Sequence, residues 1–300
     1  MSELAIAIPY HRGRDLLAHA VRSVLAQTDA AWSLLVCDDG ERGEARAVVA
    51  ELGLDGDTRV RCVENARNLG MAANWNRCLD LADAPLVALL HADDALLPGY
   101  VACMRDLAAR HPGATALYCD ARVVDAAGAP VFSLADRVKP LFLPPQARGA
   151  REYELAGERS LRALMAGNFI MCPTLCYRAA LLRGRRFDPR WKQVQDLALT
   201  SGLLMDGDVL VGTRRVEYAY RRHEGGATWR QSESLLRFEE EMALFDRVAE
   251  RAAALGWEGA ARTARAKRIV RAHLALRALA DAAALRLSRA RAELALALRR

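Results

Sequence analysis

The first hundred residues alternate short apolar runs with amphipathic stretches, and this alternation restricts the fold more than any other feature of the chain. Four apolar runs predict buried strands, at residues 4–8, 33–37, 60–63 and 86–90. The stretches between them predict helices, at residues 14–27, 41–52 and 71–81. Strands separated by single helices pair in parallel, because the helix returns the chain to the end of the sheet at which the previous strand began. We therefore expect an α/β fold with a mostly parallel sheet and helices on both faces.

The pattern changes in the second half of the chain. After a further apolar run at 116–120, a mixed segment extends to about residue 228. From Trp229 onward the chain is dominated by Ala, Leu, Arg and Glu, which predicts helix. We therefore expect an α/β domain over 1–228, followed by a C-terminal helical region over 229–300.

Composition indicates a globular protein with reduced thiols. Hydrophobic residues make up 52% and charged residues 27%, which suits a folded chain. The apolar runs are too short to cross a bilayer, and the first residues lack the basic region and apolar core of a secretory signal. Seven cysteines are present without a C-x-x-C pair, so disulfides and zinc knuckles are not expected. These features predict a cytoplasmic protein.

The formal net charge of +6 is concentrated near the C-terminus. Residues 261–300 hold 11 Lys and Arg against two acids, a net of +9, so the remainder of the chain carries −3. A basic character confined to the tail does not predict nucleic-acid binding.

Acidic residues follow the second predicted strand at Asp38-Asp39-Gly40. Ligands of parallel sheets gather at the carboxyl ends of the strands. Asp38 has two interpretations, as a ligand group or as the cap of the next helix, since Asp is a favoured N-cap. Asp39 is the better ligand candidate, because its carboxylate can accept the imide N–H of a uracil or thymine ring.

The segment His91-Ala92-Asp93-Asp94 follows the fourth predicted strand. Carboxylates exposed at a strand end are hard oxygen ligands that suit Mg²⁺ or Mn²⁺. Such a cation would bridge the two phosphates of a nucleoside diphosphate. Asp94 has the alternative interpretation of a helix cap before Pro98, and Asp93 is the stronger metal candidate.

Two later features also carry candidate chemistry. Asp196 opens a predicted helix, where an acid can either offset the helix dipole or act as a general base. The basic stretch that begins at Arg221 includes His223 and a Gly pair. It predicts either a solvated loop or a flap over a diphosphate, with His223 near the metal.

Five sequence elements, in order, resemble the family-2 glycosyltransferases with the GT-A (Rossmann-like) fold, over residues 3–228. The elements are I-A-I-P-Y at 6–10, S-V-L-A-Q-T at 23–28, L-V-C-D-D-G at 35–40, N-L-G-M-A-A-N-W-N-R-C-L at 68–79 and L-L-H-A-D-D-A-L-L-P-G at 89–99. The resemblance implies sugar transfer with inversion, from a nucleotide-sugar donor such as a UDP- or dTDP-sugar to a glycan or lipid-linked acceptor. It also implies a nucleotide-binding half over 1–120 and an acceptor half over 121–228.

The resemblance assigns roles to individual residues. It implies donor binding by Pro9, Tyr10, His11, Asp39, Asn68, Gly70, Asn76 and Asp93. It also implies that Asp93 binds a divalent metal, Mn²⁺ or Mg²⁺, and we predict His91 and His223 as further ligands. Asp196 would be the catalytic base.

Two positions depart from the family pattern. His91 stands where the family usually has the first Asp of D-x-D, so either metal affinity is weaker or His91 is an additional ligand. Gln195 stands where the family usually has Glu, so any rise in the pKa of Asp196 from a like-charged neighbour would be lost.

The basic tail has two interpretations. Apolar residues from Ile269 to Leu298 recur three or four apart, which predicts an amphipathic helical stripe. The stripe would pack on the domain or on another helix, or it would make a peripheral contact between 261–300 and the inner face of a membrane carrying anionic lipid.

Two rival functions remain open. A sugar nucleotidyltransferase on a related fold would want a Gly-rich basic loop after the first strand, and Pro9–Arg14 contains only Gly13. A non-catalytic nucleotide- or membrane-binding partner protein would explain His91 and Gln195 as decayed motifs, although Asp93 and Asp196 are retained.

Overall fold

A sheet of nine strands forms the centre of the computed structural model, which describes residues 3–40, 43–131, 139–222 and 234–299. The strand order is β3-β2-β1-β4-β8-β6-β9-β5, and β7 also pairs with β9. The strands are β1 Leu4–Tyr10, β2 Trp32–Asp38, β3 Val60–Glu64, β4 Leu86–Leu89, β5 Ala95–Leu96, β6 Ala114–Val124, β7 Glu152–Leu155, β8 Cys176–Arg178 and β9 Val209–Arg221.

The first four strands along the sheet, β3, β2, β1 and β4, are wholly parallel, as the alternation predicts. The remainder of the sheet is mixed. β8 runs antiparallel to both β4 and β6, while β6 and β9 are parallel. β5 and β7 are antiparallel to β9. The sheet therefore consists of a parallel half, β3-β2-β1-β4, and a mixed half that contains the remaining strands.

Helices cover both faces of the sheet, because successive strand residues point to opposite sides. Leu4, Ile6 and Ile8 of β1 pack in one core cluster with α1, α2 and α4. Ala7 of the same strand joins a second cluster with α3, α5, α7 and α8. The helices are α1 Arg14–Leu25, α2 Glu44–Glu51, α3 Met71–Leu81, α4 Tyr100–Arg110, α5 Gly157–Ala166, α6 Ala179–Leu182, α7 Gln195–Met205, α8 Leu236–Ala254, α9 Glu258–Ala266, α10 Arg268–Ala283 and α11 Leu287–Leu298.

The C-terminal helices α8 and α9 pack on the α/β core. Phe238 of α8 and Ala260 of α9 belong to the same buried cluster as the sheet residues. Glu158, at the start of α5, accepts hydrogen bonds from Gly259 N (2.6 Å) and Ala260 N (3.0 Å), and so caps α9. Helix-on-domain packing is thus the arrangement of this part of the C-terminal region. The boundary predicted near residue 228 lies outside the described residues.

The helices α10 and α11 form an antiparallel hairpin at the end of the chain. Val270 and Leu274 of α10 and Leu296 of α11 are buried in the main core cluster, so the base of the hairpin is fixed to the body. No helix within the described ranges is both long and apolar enough to cross a membrane.

Candidate functional site

The carboxyl ends of β1 and β2 lie side by side at one edge of the sheet, and Asn74 ties them together. Tyr10 at the end of β1 is paired in register with Asp38 at the end of β2. Asn74 of α3 is 3% exposed, and its amide donates to the carbonyl oxygens of Cys37 (3.1 Å) and Tyr10 (3.4 Å). The side chain therefore cross-links the ends of the two strands.

Asp39 organises the loop that follows β3. Its carboxylate accepts hydrogen bonds from Leu69 N (2.7 Å), Gly70 N (2.9 Å) and Asn65 Nδ2 (2.8 Å). Gly70 has a φ of +83°, a left-handed conformation that favours glycine at this turn. A carboxylate has about four acceptor sites, so Asp39 retains capacity for an N–H of a bound ligand.

His11 and Asn68 meet beside Asp39. Asn68 Nδ2 donates to the Asp39 carbonyl (2.9 Å), and His11 Nδ1 lies 3.2 Å from the same oxygen. The strand ends approach so closely here that a Cβ on Gly40 would lie 1.7 Å from the His11 carbonyl oxygen, which explains the glycine after the two acids. Pro9 is half-buried within β1 beside this group. The structure therefore brings His11, Asp39, Asn68 and Gly70 together, as the sequence predicts.

Asp38 caps α2, which is one of its two predicted interpretations. Its carboxylate accepts hydrogen bonds from Gly40 N (3.0 Å) and from Ala45 N (3.2 Å) in the first turn of the helix.

The structure narrows the roles predicted for Tyr10 and Asn76. The ring of Tyr10 is fully buried in the core and its hydroxyl donates a hydrogen bond to Glu44. Any contact between Tyr10 and a bound nucleotide sugar would therefore have to come from its backbone. The Asn76 amide is engaged at both ends, donating to Phe187 O and accepting from Phe187 N at 2.8 Å each. Asn76 therefore anchors the segment around Phe187.

The residues after β4 form a cluster that could hold a metal ion. His91, Asp93 and Asp94 each offer one ligand atom, and these atoms lie within 4.8 Å of one another. His91 Nε2 is buried and has no hydrogen-bond partner among the described residues. Burial also lowers the pKa of His91, so its imidazole is neutral near pH 7 and offers a lone pair. An unpartnered buried nitrogen next to carboxylates fits a divalent cation.

The two adjacent carboxylates of this cluster have different environments. Asp94 is 1% exposed, and it accepts hydrogen bonds from Tyr218 Oη (3.0 Å) and Arg221 N (2.7 Å) of β9. Burial, with Asp93 next to it, raises the pKa of Asp94 well above its usual range. Helix α4 begins at Tyr100 after Gly99, so the predicted capping role of Asp94 is wrong. Asp94 fixes the loop to β9, and Asp93 is the more accessible carboxylate. His223 lies outside the described residues.

Arg221 holds this loop from the other side. Its guanidinium donates from Nε to the Asp93 carbonyl (3.0 Å) and from one terminal nitrogen to the carbonyls of Asp125 (3.2 Å) and Ala126 (2.7 Å). Arg221 is 9% exposed. The basic stretch that the sequence predicts as a loop or flap therefore begins with a buried structural arginine.

Helix α3 contacts both His91 and Gln195, the residue before Asp196. Trp75 of α3 stacks on the His91 ring with a centroid distance of 5.1 Å, and Phe187 lies against the same tryptophan at 5.0 Å. One turn earlier, Met71 Sδ accepts from Gln195 Nε2 at 3.1 Å. The start of α7, which carries Asp196, is thereby brought to the helix that also contacts the residues after β4.

Asp196 is half-buried and lies beside the Cys172 thiol. Burial raises the pKa of Asp196, while the Leu197 N–H, Arg237 and the Cys172 thiol act to lower it. The pKa of Glu241 on α8 is likewise raised by burial, with Asp196 contributing. The sequence predicts that Gln195 removes any rise due to an acidic neighbour. The structure instead produces the rise by burial.

Asn65, Cys172 and Tyr218 belong to the site but are not predicted from the sequence. Asn65 follows β3 directly, so the rule that finds polar residues at strand ends could have identified it. Cys172 and Tyr218 give no local signal, because their partners Asp196 and Asp94 are brought to them only by the fold.

The family model described as "Glycosyl transferase family 2" matches residues 5–169, more than half of the chain. Among curated proteins, the chain is similar to the succinoglycan biosynthesis protein ExoU of Rhizobium meliloti. That match is 36% identical over 98 residues, 33% of this chain and 28% of ExoU. A second similar protein is the Escherichia coli UDP-Glc:alpha-D-GlcNAc-diphosphoundecaprenol beta-1,3-glucosyltransferase WfgD, 33% identical over 30% of this chain and 35% of WfgD. The matches thus span only about a third of each relative's length.

Solved structures confirm the GT-A fold that the sequence predicts. Residues 1–349 of S. aureus TarS in complex with UDP-GlcNAc match with a TM-score of 0.63 and 15% identity, over 84% of this chain and 66% of that one. The mannosyltransferase PcManGT from Pyrobaculum calidifontis, in complex with GDP-Man and Mn²⁺, matches with a TM-score of 0.60 and 17% identity. That match covers 98% of this chain and 85% of PcManGT.

Proposed function

The chain belongs to glycosyl transferase family 2, and on that premise we propose that it transfers a sugar, with inversion, from a nucleotide-sugar donor to an acceptor hydroxyl. The observation that carries the proposal is the cluster of His91, Asp93 and Asp94 at the end of β4. It lies in the same sheet edge as the Asp39 group at the ends of β1 and β2, where a parallel sheet binds its ligands.

We propose that the donor is a UDP- or dTDP-sugar. Asp39 has an acceptor position left after its three hydrogen bonds, and the imide N–H of uracil or thymine can fill it. His11 and Asn68 would border the nucleoside. The relative WfgD is named as using UDP-Glc, and the TarS structure contains UDP-GlcNAc, which supports a uridine donor.

Asp93 and His91 would hold a divalent cation, Mn²⁺ or Mg²⁺, with Asp94 fixing the loop between them and β9. The cation, when bound, neutralises charge on the departing nucleoside diphosphate. The Mn²⁺ in the PcManGT structure supports this assignment. Because Trp75 stacks on the His91 ring, the orientation of the imidazole is set by the protein itself.

Asp196 would act as the general base. The acceptor hydroxyl gives its proton to the Asp196 carboxylate as its oxygen bonds to the anomeric carbon, and the bond from that carbon to the diphosphate breaks. Burial raises the pKa of Asp196, which makes the carboxylate a stronger proton acceptor than an exposed one.

We propose a glycan or lipid-linked acceptor and a cytoplasmic site of action. ExoU is named for succinoglycan biosynthesis, and WfgD is named for transfer to a diphosphoundecaprenol-linked sugar. These names support our proposal that the enzyme contributes to the biosynthesis of a cell-surface polysaccharide.

A donor screen tests the nucleotide assignment. We expect UDP- or dTDP-sugars to raise the melting temperature in the presence of Mn²⁺ and to have little effect in EDTA, whereas GDP-sugars have a smaller effect. A ligand at 100 times its dissociation constant stabilises a fold by about 2.7 kcal/mol. The measurement is thermal unfolding with each donor, with and without metal. The assignment would be contradicted if none of the nucleotide sugars raised the melting temperature.

A further inference from the structure

The α10–α11 hairpin projects from the body beyond its anchored base. Near the base, the His273 ring packs edge-on against Phe238 of α8 at 5.0 Å, and Val270 and Leu274 are buried. At the far end, residues 283–288 are all exposed. The tip of the hairpin is therefore open to its surroundings.

The hairpin buries both of its acids and exposes most of its leucines. Its two acids are inside: Glu293 is 1% exposed and accepts from Arg277 Nε at 2.9 Å, and Asp281 is 6% exposed. Six of its eight leucines are outside, at Leu276 (66% exposed), Leu279 (68%), Leu285 (83%), Leu287 (55%), Leu294 (45%) and Leu298 (76%). Carboxylates inside and leucines outside are expected where the outer face meets an apolar phase.

The turn at the tip repeats this pattern. Leu285 has a φ of +60°, a left-handed conformation that normally selects Gly or Asn. The most exposed leucine of the hairpin thus occupies a position where leucine is unfavourable for folding. Its side chain is 83% exposed and so gains nothing from the core.

The charge of the outer face is entirely positive. Residues 268–299 contain seven arginines and two acids, and both acids are buried. Asp281 is paired with Arg286 (2.7 Å) and Arg289 (3.3 Å). The exposed surface of the hairpin therefore presents leucines and arginines without a carboxylate. A second copy of the chain would oppose arginine to arginine, whereas anionic lipid headgroups complement this charge.

We propose that the outer face of the α10–α11 hairpin docks on an anionic lipid bilayer. The leucines enter the boundary between headgroups and acyl chains, and the arginines extend their stems toward the phosphates. The contact lies in the plane of the membrane and crosses nothing. It goes beyond the proposed transferase function and does not depend on it.

Vesicle sedimentation of the full chain tests the proposal. The parent should sediment with phosphatidylglycerol-containing vesicles and much less with pure phosphatidylcholine vesicles. In the triple variant Leu276→Gln, Leu279→Gln, Leu285→Asn, binding to the anionic vesicles should fall by roughly tenfold or more. Leu255→Gln is the matched control, since this leucine is 44% exposed at the end of α8, away from the hairpin, and its binding should equal that of the parent.

Folding and self-association are separated from docking by two further measurements. Leu285→Asn alone should be at least as stable as the parent to thermal unfolding, because Asn suits φ +60°, and should still bind anionic vesicles less. Light scattering coupled to size-exclusion chromatography should give the molar mass of a monomer for the parent. The proposal is overturned if the triple variant binds like the parent, if neutral vesicles bind equally well, or if the parent is a dimer that the triple variant dissociates.

Discussion

Asp196→Asn is expected to lower the transfer rate by about two or more orders of magnitude while leaving donor affinity unchanged. Asn keeps the size of the side chain but cannot accept the proton of the acceptor hydroxyl. Because burial raises the pKa of Asp196, the parent rate should fall as the pH drops through that raised pKa and the carboxylate becomes protonated. The residual rate of the variant should lack this acid limb. Release of the nucleoside diphosphate measures turnover, and calorimetry measures donor binding.

The stability of this variant provides an internal control. A carboxyl whose pKa is raised in the folded state binds more protons folded than unfolded, so it makes the fold less stable as the pH rises through that range. Asn removes this effect, and Asp196→Asn should be at least as stable as the parent at pH 8 in urea unfolding.

Asp188→Asn is the matched control for the base. This residue lies in the same region but is paired with Arg190 at 2.6 Å on the surface, so its replacement should leave transfer intact. Full transfer by Asp196→Asn, or equal loss of donor binding and turnover, would show that Asp196 is not the base.

Asp93→Asn is expected to abolish the stimulation of turnover by divalent metal, with the fold intact. Asp93 is half-buried at the end of β4, and its replacement removes the accessible carboxylate of the cluster. Turnover is measured with Mn²⁺ titrated into the metal-free protein. Metal-stimulated turnover close to that of the parent would show that the cation binds elsewhere.

Two companion variants separate metal binding from folding. Asp83→Asn changes an exposed carboxylate before the other end of β4 and should leave metal stimulation unchanged. Asp94→Ala should instead lower the free energy of unfolding by about 2 kcal/mol, because it leaves the Tyr218 hydroxyl and the Arg221 N–H buried without their acceptor. Urea unfolding should show no comparable loss for Asp93→Asn.

The sequence predicts the parallel half of the fold closely, because each strand and helix there carries its own periodic signal. The helix expected over 71–81 is Met71–Leu81 in the structure. The antiparallel additions were not predicted. β8 has only three residues, which is too short for a recognisable alternation of apolar and polar residues. Its place in the sheet depends on pairing with β4 and β6.

The candidate site shows the same division. His11, Asp39, Asn68 and Gly70 follow strand ends, and the rule about carboxyl edges is enough to bring them together. The environment of Asp196, in contrast, is formed by residues from distant parts of the sequence. Cys172 comes from an earlier segment and Arg237 comes from α8, so the pKa of Asp196 depends on packing that a single sequence does not reveal.

The central claim, sugar transfer from a nucleotide-sugar donor with a divalent metal, is tested most directly by product analysis of one reaction. The full chain is incubated with a UDP- or dTDP-sugar and a glycan or lipid-linked acceptor, with Mn²⁺ or with EDTA. With Mn²⁺, but not with EDTA, we predict release of the nucleoside diphosphate and extension of the acceptor by one sugar. The anomeric configuration of the transferred sugar should be the inverse of that in the donor. Pyrophosphate release from a nucleoside triphosphate and a sugar 1-phosphate would identify a nucleotidyltransferase instead. Binding of the donor without any turnover of it, across acceptors and metals, would identify a non-catalytic partner protein.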